Sequence, residues 1–343
     1  MATLEDVAKR AGVSIMTVSR VMNNSGYVKP ETRKKVEKAA LSLNFQPNML
    51  ARALVTKRTQ IIACAMINIS DPFHSQVAKG MEACCYEKGY TLILCDVNSV
   101  NRENDYLNMF TMQMIDGVVF HHLAITNEQV QLLEDANVSC LLMDNEIDLP
   151  THSSIRTDNY GGAVMAVKHL ISKGHQRIGC IHGVLKKPFG KDIPYEDTFQ
   201  FDIWIQRTNG FIDTMLEHGL NADLLYQGNG LMDIMQEQSE YVLDMILNES
   251  KPPTAIYCQN DIIALILLST MSKRGLRSPD DLAIVGHDGL EICKLMHPYV
   301  TTVVQPQYRM GHLAADLLIR QIEQQSIVER LTLAPTLSIG ETT

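Results

Sequence analysis

The sequence predicts two unlike parts in one chain: an all-α helix-turn-helix module over residues 1–46 and an α/β body of two doubly wound lobes over residues 60–343, with 47–59 as linker. Three observations predict this. Two short amphipathic stretches meet at a tight turn containing Gly12, which is the pattern of a helix-turn-helix. Beyond residue 60, continuous apolar runs alternate with amphipathic ones, and the cycle starts again after residue 160, as tandem parallel α/β units require. The charge reverses between the parts. Residues 1–59 hold eleven basic and four acidic side chains, whereas residues 60–343 hold 19 basic and 35 acidic.

In the module, Leu4, Val7, Ala8 and Ala11 fall at i, i+3, i+4 and i+7 and form one apolar stripe. Thr3 is placed to cap this helix, and Asp6 three residues on completes a capping box. Gly12 ends it, since the residue after a helix commonly needs positive φ. Ser14 then caps a second helix, whose Val18 and Val21 face inward and whose Ile15, Met16, Thr17, Ser19 and Arg20 face out. A third helix starts at Pro30, which suits the first helical position. Val36, Ala39, Ala40 and Leu43 give it a buried face, and Arg33, Lys34, Lys35 and Lys38 a basic one. A small basic module on a large acidic body is the charge pattern of phosphate binding.

In the body, strands are expected at 61–67, 91–95, 117–120 and 139–143, with helices at 73–88, 103–114 and 127–136 between them. The second cycle runs helix 160–173, strand 177–182, helices 204–218 and 232–248, strand 254–258, helix 261–274, strand 282–285 and a last long helix 307–325. Two such units imply two lobes, about 60–159 and about 160–303, with a cleft where ligands meet the carboxyl ends of the strands.

Composition sets further bounds. Hydrophobic residues are 45% and charged residues 20% of 343, a normal globular mix. Glu5, Asp6, Lys9 and Arg10 stand where a signal peptide needs its apolar region, and apolar runs such as 262–268 are too short to span a bilayer. A cytoplasmic protein without a membrane partner is expected. The eight cysteines agree: Cys64, Cys95, Cys140, Cys180 and Cys258 sit in apolar runs and no C-x-x-C occurs, so reduced thiols are expected.

The residues Thr3-Leu4-Glu5-Asp6-Val7-Ala8, Ala11-Gly12-Val13-Ser14, Thr17-Val18-Ser19-Arg20-Val21, Asn23 and Leu43-Asn44-Phe45-Gln46-Pro47-Asn48 resemble the N-terminal signature of the lac repressor family of bacterial transcription regulators. The resemblance implies that Ile15, Met16 and Arg20 read bases and that Ser14, Thr17, Ser19 and Asn23 meet the backbone. An Arg fork suits guanine O6 and N7, although a phosphate contact would use the same side chain. Ile15 and Met16 can offer only apolar contact, best with a thymine methyl, or else are exposed packing residues. The linker resembles the family's hinge helix, with Asn48, Ala51, Arg52 and Leu54 matching and Leu54 the minor-groove wedge. A palindromic operator and a homodimer are implied. The ending Ser338-Ile339-Gly340-Glu341-Thr342-Thr343 carries no leucine heptad of the kind that would build a tetramer, and dimer and higher oligomer both stay open.

The body resembles the periplasmic-binding-protein-like sensor of the same family, in which the chain crosses between lobes three times and the last long helix returns to the first lobe. Arg207-Thr208-Asn209-Gly210-Phe211, Gln259-Asn260-Asp261, Gly286-His287-Asp288, Asp71-Pro72-Phe73, Asp158-Asn159-Tyr160 and Gln305 match effector-binding motifs in family order. The implied effector residues are Asp71, Phe73, Asp158, Arg207, Asn260, Asp288 and Gln305. Each lone Asp or Asn at a strand end could instead be a helix cap. Three features depart from the pattern. His287 replaces an aromatic residue and Gly289 a frequent Asp. The closing Arg-x-Ser is unmatched near Ile339. Residues 184–203 are longer than the corresponding loop and carry Phe189, Tyr195, Phe199 and Phe201 just before Trp204. That stretch is either a lid, which would bring Trp204 to the effector, or a surface or interface loop.

The expected function is a repressor of carbohydrate genes under a mono- or disaccharide. A purine or sugar phosphate is the alternative effector, and a solute-binding protein the alternative class. No enzyme is expected, because G-x-S-x-G, a Walker loop and H-E-x-x-H are absent. No cofactor is expected. No metal is expected either, since His121-His122 reads as an isolated pair at a strand end.

Overall fold

The computed structural model describes residues 2–22, 26–45, 58–97, 100–123, 125–145, 151–183, 202–228, 232–324 and 328–343. They form two compact units, residues 1–59 and 60–343. Asn23, the hinge residues Asn48, Ala51, Arg52 and Leu54, and the aromatic residues Phe189, Tyr195, Phe199 and Phe201 lie outside the described residues.

The first unit is three helices, α1 (Leu4–Ala11), α2 (Ile15–Met22) and α3 (Pro30–Ser42). The capping box forms as the spacing predicts: the Asp6 backbone N–H donates to Thr3 Oγ1 and the Thr3 N–H to Asp6 Oδ2. Gly12 has φ +68° and ends α1. The core is Val7, Ala8, Val18, Val21, Val36, Ala39 and Ala40; of the other stripe positions Leu4 is exposed, and Ala11 and Leu43 are half-buried.

The second unit contains two six-stranded sheets. In the first, β1 (Ile61–Met66), β2 (Thr91–Asp96), β3 (Gly117–His121), β4 (Ser139–Met143), β5 (Ser153–Thr157) and β11 (Arg330–Leu333) run in the order β11-β5-β4-β3-β1-β2, all parallel. Helices α4 (Pro72–Lys88), α5 (Val100–Met109), α6 (Asn127–Asp135) and the long α11 (Gln307–Gln324) belong to this lobe. A π-helical turn at Phe110–Met114 interrupts the helix expected over 103–114. α11 packs on α4 so closely that a side chain at Gly80 or Gly311 would strike the partner helix's backbone.

The second sheet has β6 (Ile178–Gly183), β7 (Leu225–Gly228), β8 (Ala255–Cys258), β9 (Ala283–Asp288), β10 (Thr301–Val304) and β12 (Thr336–Ser338) in the order β12-β10-β9-β8-β6-β7. Only β12 runs antiparallel to its neighbour. Its helices are α7 (Asn159–Ser172), α8 (Asp202–Glu217), α9 (Met232–Leu247) and α10 (Asp261–Lys273).

The chain passes between the sheets three times, after β5, after β10 and after β11. Strands β5, β7, β10, β11 and β12 carry no strong sequence pattern. β5 reads Ser153-Ser154-Ile155-Arg156-Thr157, with one large apolar residue, and forms because β4 and β11 flank it. Helix α11 opens at the second crossing and returns to the first lobe. β12 and the residues after it join the second lobe, where Thr342 hydrogen-bonds β9 and β10.

Candidate functional site

In the small unit, Ser14 Oγ accepts from the Thr17 N–H at 3.2 Å and contacts Thr17 Oγ1 at 2.9 Å, so both hydroxyls fix the start of α2. Val18 and Val21 take the inner face. Ile15 and Met16 are left 49% and 65% exposed, so neither packs on the module's own core. Arg20 is exposed on the same helix, while Thr17 and Ser19 are half-buried. Lys34, Lys35 and Lys38 are exposed on α3. A short α-helix exposing two apolar side chains in its first turn and an Arg in its last, in a unit that also exposes three lysines, suits a major groove lined by phosphates.

In the large unit Arg207, Asp288, Gln305 and Trp204 come together, whereas Asp158 and Asn260 are engaged at the starts of their own helices. Arg207, on α8, is 3% exposed. Its Nε donates to Asn159 Oδ1 at 2.9 Å, its Nη1 to the Gln259 carbonyl, and its Nη2 lies 3.2 Å from Asp288 Oδ1. Asp288 ends β9 with φ +119°, a left-handed conformation costly for a residue with a Cβ. Burial pushes its carboxyl up, against the pull of the Arg207 guanidinium. Gln305 Nε2 donates to the same Asp288 oxygen at 2.8 Å, and Thr157 Oγ1 donates to Gln305 Oε1 at 2.6 Å. Thr157 ends β5 at the first crossing, and Gln305 follows β10 at the second. One hydrogen-bonded chain therefore runs through two of the three connections between lobes.

Asp71, Asp158 and Asn260 spend a side-chain oxygen as helix caps. They accept from the N–H groups of Phe73 (2.8 Å), Gly161 (2.7 Å) and Ile263 (2.7 Å), respectively. Asp71 nevertheless lies near enough to Asp288 to raise its pKa. Trp204 is half-buried, and Arg207 Cζ stands 5.4 Å from its ring centroid, a cation–π contact. Trp204 thus reports on the Arg207 site whatever residues 184–201 do.

Two departures from the motif pattern have structural reasons. His287 is fully buried and its Nδ1 meets the Tyr257 hydroxyl at 2.7 Å, filling an aromatic position with a hydrogen-bonded ring. Burial and the nearby Arg207 hold it well below the usual histidine range. Gly289 has φ +76°, and a side chain there would meet the β10 backbone at Val304.

Sequence reasoning missed Asn159, Thr157 and the Gln259 carbonyl; Asn159 and Gln259 stood inside the quoted motifs, whereas Thr157 carried no signal. It also read His121-His122 as isolated, which the structure corrects. His74, in the first turn of α4, brings its ring centroid to 4.8 Å from that of His121 and 5.3 Å from that of His122. No local pattern joins residue 74 to residue 121; only the packing of α4 beside β3 does. Phe73 stacks against His122 at 5.9 Å with planes 14° apart, so the lobe-one wall is built of rings.

A small basic helix-turn-helix unit followed by a two-lobed sensor with a buried polar cleft defines the class of ligand-controlled DNA-binding regulators. The chain belongs to the lacI family of bacterial regulatory proteins: that family model matches residues 3–48, and the periplasmic binding protein-like domain matches residues 167–343. It is similar to the HTH-type transcriptional repressor PurR of Vibrio atlanticus (strain LGP32), 31% identical over 335 residues covering 96% of this chain and 95% of that protein. PurR of Aliivibrio salmonicida (strain LFI1238) is 33% identical over 336 residues, with the same coverage. Among solved structures, the lac repressor dimer bound to operator and the anti-inducer ONPF superposes with TM-score 0.82 at 26% identity, over 100% of this chain and 99% of that one. The CelR–cellobiose complex does so with TM-score 0.72 at 27% identity, over all of both chains. The chain is accordingly a DNA-binding transcriptional repressor. No helix among the described residues is long and apolar enough to cross a membrane.

Proposed function

We propose that this repressor works as a homodimer in the cytoplasm, has no enzymatic activity, and reads a palindromic operator through Ile15, Met16 and Arg20. Ser14, Thr17, Ser19 and Asn23 hold the phosphates, and Leu54, with Asn48, Ala51 and Arg52, enters the minor groove. The lac repressor structure is that of a dimer bound to operator, which supports this arrangement. Control comes from a small polyhydroxylated effector of the mono- or disaccharide class, held by Arg207, Asp288, Asn260, Asp71 and Gln305 beside Phe73, Asp158 and Trp204.

The observation that carries the effector reading is the Arg207–Asp288–Gln305–Thr157 chain. A guanidinium, a carboxylate and an amide in one buried place match adjacent hydroxyls, each of which donates and accepts. A ligand that exchanges with any of these bonds alters the connections between the lobes, and its energy becomes a shift in lobe closure. The CelR structure is a cellobiose complex, which supports a saccharide.

The test has two arms. A gel shift on a palindromic operator at several salt concentrations reads DNA binding, and the dependence steepens with the number of phosphates neutralised. Trp204 fluorescence, titrated with saccharides, purines and sugar phosphates, reads the cleft. A saccharide that changes both the fluorescence and the operator affinity is expected. A response to purines or sugar phosphates alone replaces the saccharide reading, and no operator binding at low salt overturns the whole.

A further inference from the structure

On a β-strand, successive side chains point to opposite faces. His121 is the last residue of β3, and His122 follows with φ +54°. That left-handed residue cancels the alternation, so the two rings come to one side with centroids 4.2 Å apart. His74 arrives from α4, and one nitrogen from each ring lies within 4.8 Å of the others.

The partners of the His74 and His122 rings are those of metal-binding imidazoles. His74 Nδ1 meets the Asn68 carbonyl at 3.1 Å, which fixes its N–H there and turns Nε2 inward. His122 Nε2 meets Asp144 Oδ2 at 3.3 Å, which turns Nδ1 inward. Asp144 is itself buried and anchored, accepting from the Thr157 N–H at 2.9 Å. A ligating histidine characteristically gives its other N–H to a carbonyl or carboxylate. The two inward nitrogens, His74 Nε2 and His122 Nδ1, are 3.3 Å apart. A tetrahedral site with metal–nitrogen bonds of about 2.0–2.1 Å has edges of about 3.3–3.4 Å.

His121 supplies the independent observation. It is fully buried, and neither of its ring nitrogens has a hydrogen-bond partner among the described residues. Leaving such a group unsatisfied costs free energy, so a buried imidazole with two orphan nitrogens beside two oriented imidazoles points to a missing ligand.

We propose that His74, His121 and His122 form a three-imidazole site for a divalent transition cation of the zinc class, with the fourth coordination position open toward the cleft. Three nitrogens select zinc and its neighbours over magnesium or calcium, which take oxygen. Three protein ligands also leave a position for an exchangeable group. The open side is that of His122, whose side chain keeps 11% exposure. Closing His121 onto the ion brings nitrogens that now lie within 4.8 Å of one another to about 3.3–3.4 Å, a shift of about 1.4 Å. The site does not depend on the effector's identity. It does share the interlobe chain, because Asp144 behind His122 is held by Thr157, which donates to Gln305.

The test uses untagged full-length protein, stripped with chelator and titrated with Co2+. One equivalent per chain is expected, with the visible absorption of tetrahedral nitrogen-rich cobalt, no thiolate charge-transfer band, and displacement by Zn2+. His74→Gln and His121→Phe abolish the band, and Asp144→Asn weakens binding by about 10- to 100-fold. Circular dichroism and operator binding check that each variant folds; should His121→Phe not fold, the wild type and His74→Gln decide. No cobalt bound by the wild type, a thiolate band, or undiminished binding in folded His74→Gln would overturn the proposal.

Discussion

The DNA-reading unit and the sensor cleft place their working residues in opposite ways. In the reading unit, Ile15, Met16 and Arg20 stand exposed, and the core beneath them is seven small apolar side chains. In the cleft, Arg207, Asn159, Asp288 and Gln305 are buried and spend their hydrogen-bonding capacity on one another. The exposed readers can therefore be exchanged at little cost to the fold. The cleft residues are part of what holds their lobes in shape, so binding and stability are coupled there.

The largest effect that would break this comparison is Arg207→Ala. It leaves Asp288 buried without its counter-charge, and such losses run to about 3–5 kcal/mol. Thermal melting of the sensor should fall accordingly, and Arg207→Ala combined with Asp288→Asn should recover part of it. A melting point within a degree of wild type would mean that the pair carries no structure. Next is Val18→Ala in the reading unit. It removes about 2 kcal/mol from a core with little to spare, and amide exchange in α1–α3 should accelerate while that of the sensor stays unchanged.

Arg20→Ala should instead spare stability and weaken operator binding by about 1–3 kcal/mol, or about 5- to 150-fold. Relaxed specificity at one base pair would mark base reading, and a uniform loss across sequences would mark a phosphate contact. Gly12→Ala has open space around its Cβ, so only the positive φ opposes it, at about 1 kcal/mol; amide exchange in α1 reads this.

The smallest effect near neutral pH separates the units by titration. All eleven histidines lie beyond residue 59. His287 has a folded pKa depressed below 6.5, so its contribution is complete above 6.5 and is lost as pH falls through the depressed value. Melting of the sensor should drop below pH 6.5, less steeply in His287→Gln, while amide protection factors in α1–α3, corrected for the intrinsic pH dependence of exchange, hold steady between pH 6.5 and 5. Equal weakening of both units would contradict the assignment.

The reading unit was legible because its determinants are local. The Thr3/Asp6 box, Gly12 and the Val18/Val21 spacing each act within a few residues. The cleft was legible only through motif order: Arg207 and Asp288 could be named, but not their pairing across 81 residues. The caps at Asp71, Asp158 and Asn260, the alternative to effector binding in the sequence, formed because they too are local.

By itself the sequence determined the three-helix unit, most strands and helices of both lobes, and the charge contrast between the two units, since propensity, periodicity and charge belong to the residues. Only the tertiary structure decided that the polar strand β5 exists, that α11 docks on α4 through Gly80 and Gly311, and that His74 joins His121 and His122. Those outcomes depend on which surfaces meet after the chain has crossed between lobes, and contacts so distant in sequence leave no local pattern to read.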